Sequence, residues 1–328
     1  MSSVWAEAGT RARVAPVEAA AYRRHAIHGE DRTWIETNCY TDLVVEMVHS
    51  LGHEPCAMLA FTLAVDFEGD QWTFFKPSTS DLAELYGVDV QELAIWRPVL
   101  DHVVEQLGAG RIVMVELDAF HLPDTAGTAY GIAHQKTTVG VNEIDPARAF
   151  MGYFHNQGYY EVQGEDFRRL FAIEGLPPFA EVVKRLAGYP APRGEALVQA
   201  SLAKLSRELA RIPRDNPFPR FRDRLAADLD TLLAGDLERF HKYSFATLRQ
   251  YGACFELART YLEWLSAQGV AGLEVPGNAF WRIAQSAKAF QFQLARSMAR
   301  KKPLDLAPLD EMGAQWDVAI TLLRSRYA

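Results

Sequence analysis

Thiol catalysis needs three residue types: a sulfur that attacks, an imidazole that takes its proton, and a polar group that holds the other ring nitrogen. This 328-residue chain has three cysteines, Cys39, Cys56 and Cys254. Only Cys39 stands where a thiolate is favoured. It follows Asn38 in the stretch TWIETNCYTDL (33–43), and Asn is a preferred N-cap. Tyr40, Leu43, Val44, Met47, Val48 and Leu51 then recur at helical spacing, and Gly52 supplies the stop. Cys39 therefore falls in a first helical turn, where unpaired N–H groups and the helix dipole favour an anion. The competing reading is a buried structural thiol, which is how we read Cys56 and Cys254 in their apolar surroundings.

His134 is the candidate base, because it heads the strand-like run HQKTTVGV (134–141). Asn156, in YFHNQG (153–158), ends the next strand, and a hairpin would return that end beside His134. His121 is the alternative base, since it too follows a strand. Asp145 is the alternative orienting group, in the turn between the two strands. For the oxyanion, the backbone N–H of Cys39 and the side-chain amide of Asn38 are the available donors. Thr33 stands six residues before the cysteine, where papain-like enzymes carry a Gln.

The elements that must position these groups alternate early and become helical late. Ala57–Phe67 is an apolar run that suits a buried strand, with a buried helix as the alternative that pattern alone leaves open, and QWTFFK (71–76) reads as a neighbouring strand or hairpin arm. Short helices are expected from Ser80 to Tyr86 and around Val99–Leu107. Strands follow at 111–117, 134–141, 149–155 and 159–162, then a short helix to Phe171. Prolines around 176–178 and 190–192 mark a boundary. Beyond it, 197–212, 221–233, 240–266, 278–300 and 309–327 read as amphipathic helices. The expected fold is α+β: a papain-like domain with an antiparallel sheet over 1–188, with a loosely ordered lead-in, and an all-helical domain over 189–328.

Composition narrows the function classes. A formal net charge of -8 argues against nucleic-acid binding, which needs a basic face. Three widely spaced cysteines form neither a disulfide framework nor a zinc pattern, so a reducing, cytoplasmic setting fits. The apolar run from Cys56 to Val65 is too short to span a bilayer. The pairs His49/His53 and His25/His28 lack completing ligands, with Glu46 and Glu54 off their face, so no metal is expected. Arg296, Arg300, Lys301 and Lys302 cluster at a helix end. That is the ordinary complement to a helix dipole, and also a candidate docking patch for an acidic partner.

Four runs together carry a resemblance: TNCYTDL (37–43), DAFHLPDTAGT (118–128), HQKTT (134–138) and GYFHNQGYYE (152–161). They resemble an uncharacterised bacterial family whose genes often neighbour those of amino acid:carrier-protein ligases. More distantly, the first half is similar to the papain-like acyltransferase of butirosin biosynthesis, which moves an aminoacyl group from a carrier-protein thioester onto an amine. The resemblance implies acyl transfer through Cys39 and His134. It also implies an acyl carrier protein as partner, its phosphopantetheine arm as substrate carrier and no bound cofactor. The absent Gln departs from papain-like proteases. A hydrolase of the same fold, or a non-catalytic partner of carrier proteins or ligases, are the alternatives.

Overall fold

The computed structural model describes residues 11–173, 175 and 177–328. The first ten residues of the lead-in, and Leu176 in the boundary segment, lie outside the described residues. The described chain is α+β, with one antiparallel sheet and a mostly helical C-terminal region. It forms two compact units that no single cut separates. The first contains residues up to His28, Asn38–Pro55 and Thr79–Ala191; the second contains Gly29–Thr37, Cys56–Ser78 and Pro192–Ala328.

The sheet of the first unit is built from β1 (Ala12–Arg13), β2 (Val88–Glu92), β3 (Ile112–Asp118), β4 (Lys136–Asp145), β5 (Phe150–His155), β6 (Gly158–Gln163) and β7 (Ala180–Arg185). Six strands run β2–β7–β3–β4–β5–β6, and β1 pairs with β4. Four helices accompany it: α1 (Cys39–Ser50), α2 (Thr79–Tyr86), α3 (Val99–Gly108) and α4 (Glu165–Phe171).

Alternation gives the sheet two distinct faces. Val113, Val115, Val139, Val141 and Tyr153 pack in one buried cluster with Val99, Leu100, Val103 and Leu107 of α3 and Phe167 and Leu170 of α4. The intervening residues face α1. Glu181, Met114, Gly140 and Phe154 are direct cross-strand neighbours. Tyr40 of α1 donates its hydroxyl to Glu181 at 2.8 Å. A Cβ on Gly140 would lie 2.7 Å from Leu43 Cδ1, so the missing side chain lets α1 seat on β4.

The second unit carries α5 (Glu195–Arg211), α6 (Pro217–Ala234), α7 (Leu237–Ser244), α8 (Gln250–Ala267), α9 (Glu274–Arg300) and α10 (Ala307–Tyr327). The single helix expected over 240–266 is α7 and α8 joined by a π-turn at Phe245–Arg249. Aromatic edges from Phe67, Trp72, Phe218, Phe221 and Tyr251 meet in its interior. The segment that precedes the cysteine helix is also fixed in this unit. Glu256 accepts from the backbone N–H of Thr33 at 2.9 Å and of Trp34 at 2.8 Å, and Trp34 Nε1 donates to Ala284 at 3.1 Å.

Two expectations are corrected. The run after Pro55 is not a strand but a 3₁₀ helix, Pro55–Ala64, and QWTFFK contributes only an isolated bridge between Phe67 and Trp72. Ala57 to Leu63 are buried on every side, so apolarity carried no period to tell helix from strand. In turn, β2 and β7 were not anticipated. Their charged residues, such as Glu181 and Lys184, break up the apolar signal.

Candidate active site

Cys39 is the first residue of α1, half-buried and a free thiol. Asn38 is the N-cap, in extended backbone with φ −143°, and its Oδ1 accepts from the Thr41 N–H at 2.8 Å. The backbone thus presents the sulfur at the open turn of the helix. Among the described residues no hydrogen bond or ion pair reaches that sulfur. Asn38 spends its carbonyl oxygen on the cap. Thr33 uses its N–H on Glu256, and its hydroxyl accepts from Gln285.

His134 lies two residues before β4 and is open to solvent, its side chain 72% exposed. Its Nδ1 meets Asp118 Oδ2 at 2.6 Å, and its ring stacks on Phe120 at 4.4 Å between centroids. Asp118 ends β3 directly opposite Lys136, so it leaves the sheet on the same face as Met114 and Gly140, the α1 face. The remaining oxygen of Asp118 accepts from the N–H of Phe120 at 3.0 Å and of Gln135 at 3.3 Å. Partial burial pushes the Asp118 carboxyl up. The hydrogen bond from His134 and the two backbone donors outweigh that and hold it below the usual carboxylate range.

Asn156 does not hold this ring. It occupies the two-residue turn between β5 and β6 with φ +45°, a left-handed conformation that Asn tolerates. The residue beside it makes the contact with the head of β4, but on the other face. His155 Nε2 bonds Thr137 Oγ1 at 2.8 Å and its Nδ1 bonds Asp124 Oδ2 at 2.5 Å. Tyr153 donates to the second oxygen of Asp124, also at 2.5 Å. This buried cluster ties the loop after β3 to β4 and β5.

His121 lies with its Nδ1 3.9 Å from Asp166, and its ring is 6.5 Å from that of His134. Asp145 caps the turn after β4, accepting from Arg148 N–H at 3.1 Å, at the end of the strand remote from His134. Of the basic patch, Arg296, Arg300 and Lys302 are exposed. Lys301 is a C-cap in left-handed backbone whose ammonium donates to the carbonyls of Leu233 and Gly235 at the end of α6. Glu46, set aside as off the face of His49 and His53, meets a different histidine: His28 Nδ1 at 2.5 Å.

The residue missed by sequence reasoning is therefore Asp118. A signal for it was present. Antiparallel neighbours bring the end of one strand to the start of the next, and Asp118 ends the strand just before the one that His134 heads.

The two domain models of one family cover nearly the whole chain. The DUF1839 N-terminal domain matches residues 23–185 and the DUF1839 C-terminal domain matches residues 194–325. The chain belongs to the DUF1839 family. Within it, Cys39, His134 and Asp118 all fall in the N-terminal domain. No functionally curated protein matches the chain. Among the described residues of this DUF1839 chain, no helix is long and apolar enough to cross a membrane.

Proposed function

We propose that this DUF1839 protein is a papain-like cysteine acyl or aminoacyl transferase that acts on a carrier-protein thioester. One observation carries the reading: Cys39 opens a capped helix lying on the sheet face from which Asp118 reaches His134. His134 takes the thiol proton on Nε2, while Asp118 on Nδ1 fixes the tautomer and steadies the imidazolium. The thiolate attacks the thioester carbonyl carbon, and the bond to the phosphopantetheine sulfur breaks. That sulfur leaves with the proton from His134, and the acyl group stays on Cys39. An amine then attacks the acyl-enzyme, and its proton passes through His134 to the departing Cys39 sulfur. The N–H of Cys39 and the amide of Asn38 are the oxyanion donors. Thioester exchange between sulfurs makes small demands on them.

The first step requires the His134 ring to come within hydrogen-bond reach of the Cys39 sulfur. The acyl carrier protein is the proposed partner, with Arg296, Arg300 and Lys302 as docking cations, in a reducing cytoplasm. Incubation with aminoacylated carrier protein is expected to add the acyl mass to Cys39. Unchanged mass with a reactive donor, together with equal turnover by Cys39→Ala, sinks the reading.

Two observations favour other outcomes. Exposure of His134 admits water, so a thioesterase, amidase or peptidase uses the same residues; product analysis with and without amine separates it. The unbonded Cys39 sulfur favours a non-catalytic partner of carrier proteins or ligases. That reading requires iodoacetamide to leave Cys39 unmodified and Cys39→Ser to keep binding.

A further inference from the structure

Helix α9, in the second unit, reverses the charge of the chain. It carries the bases Arg282, Lys288, Arg296 and Arg300 against a single acid, Glu274, in a protein of net charge -8. Lys288, Phe292, Arg296 and Arg300 recur every four residues, so they run along one side of the helix. Phe292 is 62% exposed, and Arg296 and Arg300 are exposed as well. Among the described residues, none of Lys288, Arg296 and Arg300 makes an ion pair.

The turn Phe245–Arg249 continues this surface. Phe245 is half exposed, with the Arg249 guanidinium 5.2 Å from its ring centroid. Arg249 has one carboxylate, Glu36, at 3.3 Å. Gln291 donates to Ser244 Oγ at 2.6 Å and so ties α9 to the residue before Phe245. Lys288 Nζ lies 4.3 Å from the Trp34 ring centroid and 6.0 Å from that of Phe292. Burial first, and the Arg249 charge second, lower the Lys288 pKa from its ordinary value, so the two cations feel each other.

We infer that this surface docks one acidic, amphipathic helix of a partner protein. Carboxylates spaced four residues apart on such a helix face Lys288, Arg296 and Arg300, and apolar residues beside them cover Phe292 and Phe245. Charge selects the occupant. A second copy of the same surface would set cation against cation. An anionic membrane has the right sign, but its flat face also meets the acidic remainder of the chain, whereas a helix covers the stripe alone. The surface adds an apolar half to the docking cations of the acyl-transfer reading and works independently of Cys39.

The probe is a fluorescent, alanine-rich peptide about five helical turns long, with Glu every fourth residue beside a stripe of Leu. A scrambled peptide of the same composition is the control, and binding to the full chain is read by anisotropy. The amphipathic peptide is expected to bind more tightly than the scrambled one, and less tightly as salt rises. Lys288→Glu and Phe292→Ser are each expected to weaken it about tenfold. Phe292→Ser leaves the charge unchanged, so its effect reports the apolar contact. No binding, equal binding of the scrambled peptide, indifference to both substitutions, or tighter binding to phosphatidylglycerol vesicles overturns the inference. An adduct on Cys39 without peptide binding strikes this surface, and peptide binding without the adduct strikes the catalytic reading.

Discussion

His28 and His134 each hold a carboxylate at hydrogen-bond distance, one inside the first unit and one on its surface. His28 is fully buried, with Nδ1 2.5 Å from Glu46 and Nε2 3.3 Å from Asp42, both carboxylates being buried as well. Tyr22 adds its hydroxyl to Glu46 at 2.5 Å, and the N–H of His25 donates to the same carboxylate. His134 meets one carboxylate with most of its ring in water. Both ring nitrogens of His28 and both oxygens of Glu46 are committed, so the cluster fixes α1 against the residues before it. The second leaves Nε2 unengaged, so it can trade a proton. Distance alone does not distinguish a tether from a catalytic pair; exposure and the number of free lone pairs do.

The hardest way to break the comparison is to remove the buried cation. His28→Ala leaves two buried carboxylates facing each other, and is expected to destabilise the fold by about 3–5 kcal/mol. Urea unfolding checks it. A loss below about 1 kcal/mol would mean the cluster is not the tether its burial implies.

The same cluster sets a pH dependence. Burial pushes the His28 imidazole down, but hydrogen bonds and charge from Asp42 and Glu46 outweigh it and raise it from 6.5 to about 9. A raised folded value means that protonation favours the native state. The contribution is fully present below pH 6.5 and is lost as pH rises through about 9. Unfolding midpoints measured across that window should fall with pH. In Asp42→Asn the fall should begin at lower pH, because one of the two anions is gone.

How much of this was legible beforehand depended on whether a residue's role follows from its neighbours in sequence. The cap at Asn38 and the helix behind Cys39 are local, and the sequence pattern of 38–51 describes them. The strands from 111 to 162 were legible for the same reason. The partner of His134 was not, because it depends on which strands pair and which face each residue takes. Asn156 was expected beside His134 from strand order alone. One residue of alternation reverses the result: His155 reaches back to β4, but on the face toward α3 and α4. The tether at His28 was hidden too, since its two partners lie fourteen and eighteen residues downstream on α1.

His155 stands between the two extremes. It is buried like His28, but its ring is shared between one carboxylate and a neutral hydroxyl. His155→Gln removes the donor to a buried oxygen of Asp124, which Tyr153 still serves on the other side. The expected loss is about 1–3 kcal/mol. Because Asp124 anchors the loop that begins after Asp118, the substitution should also slow Cys39 acylation by loosening the His134–Asp118 pair. A loss of stability with an unchanged acylation rate would mark the cluster as purely structural.

His134→Gln should be the mildest in stability and the most informative. The ring is mostly hydrated and its ion pair is screened, so unfolding should change by no more than about 0.5 kcal/mol. Acylation of Cys39 by a thioester should nevertheless fall by about 10²–10⁴, the usual contribution of a general base. Asp118→Asn should give a smaller loss of the same kind. It keeps a hydrogen-bonding group at Nδ1 but no charge to steady the imidazolium. If both variants acylate like wild type, the exposed pair is no more catalytic than the buried one, and the contrast between the two histidines is one of solvation only.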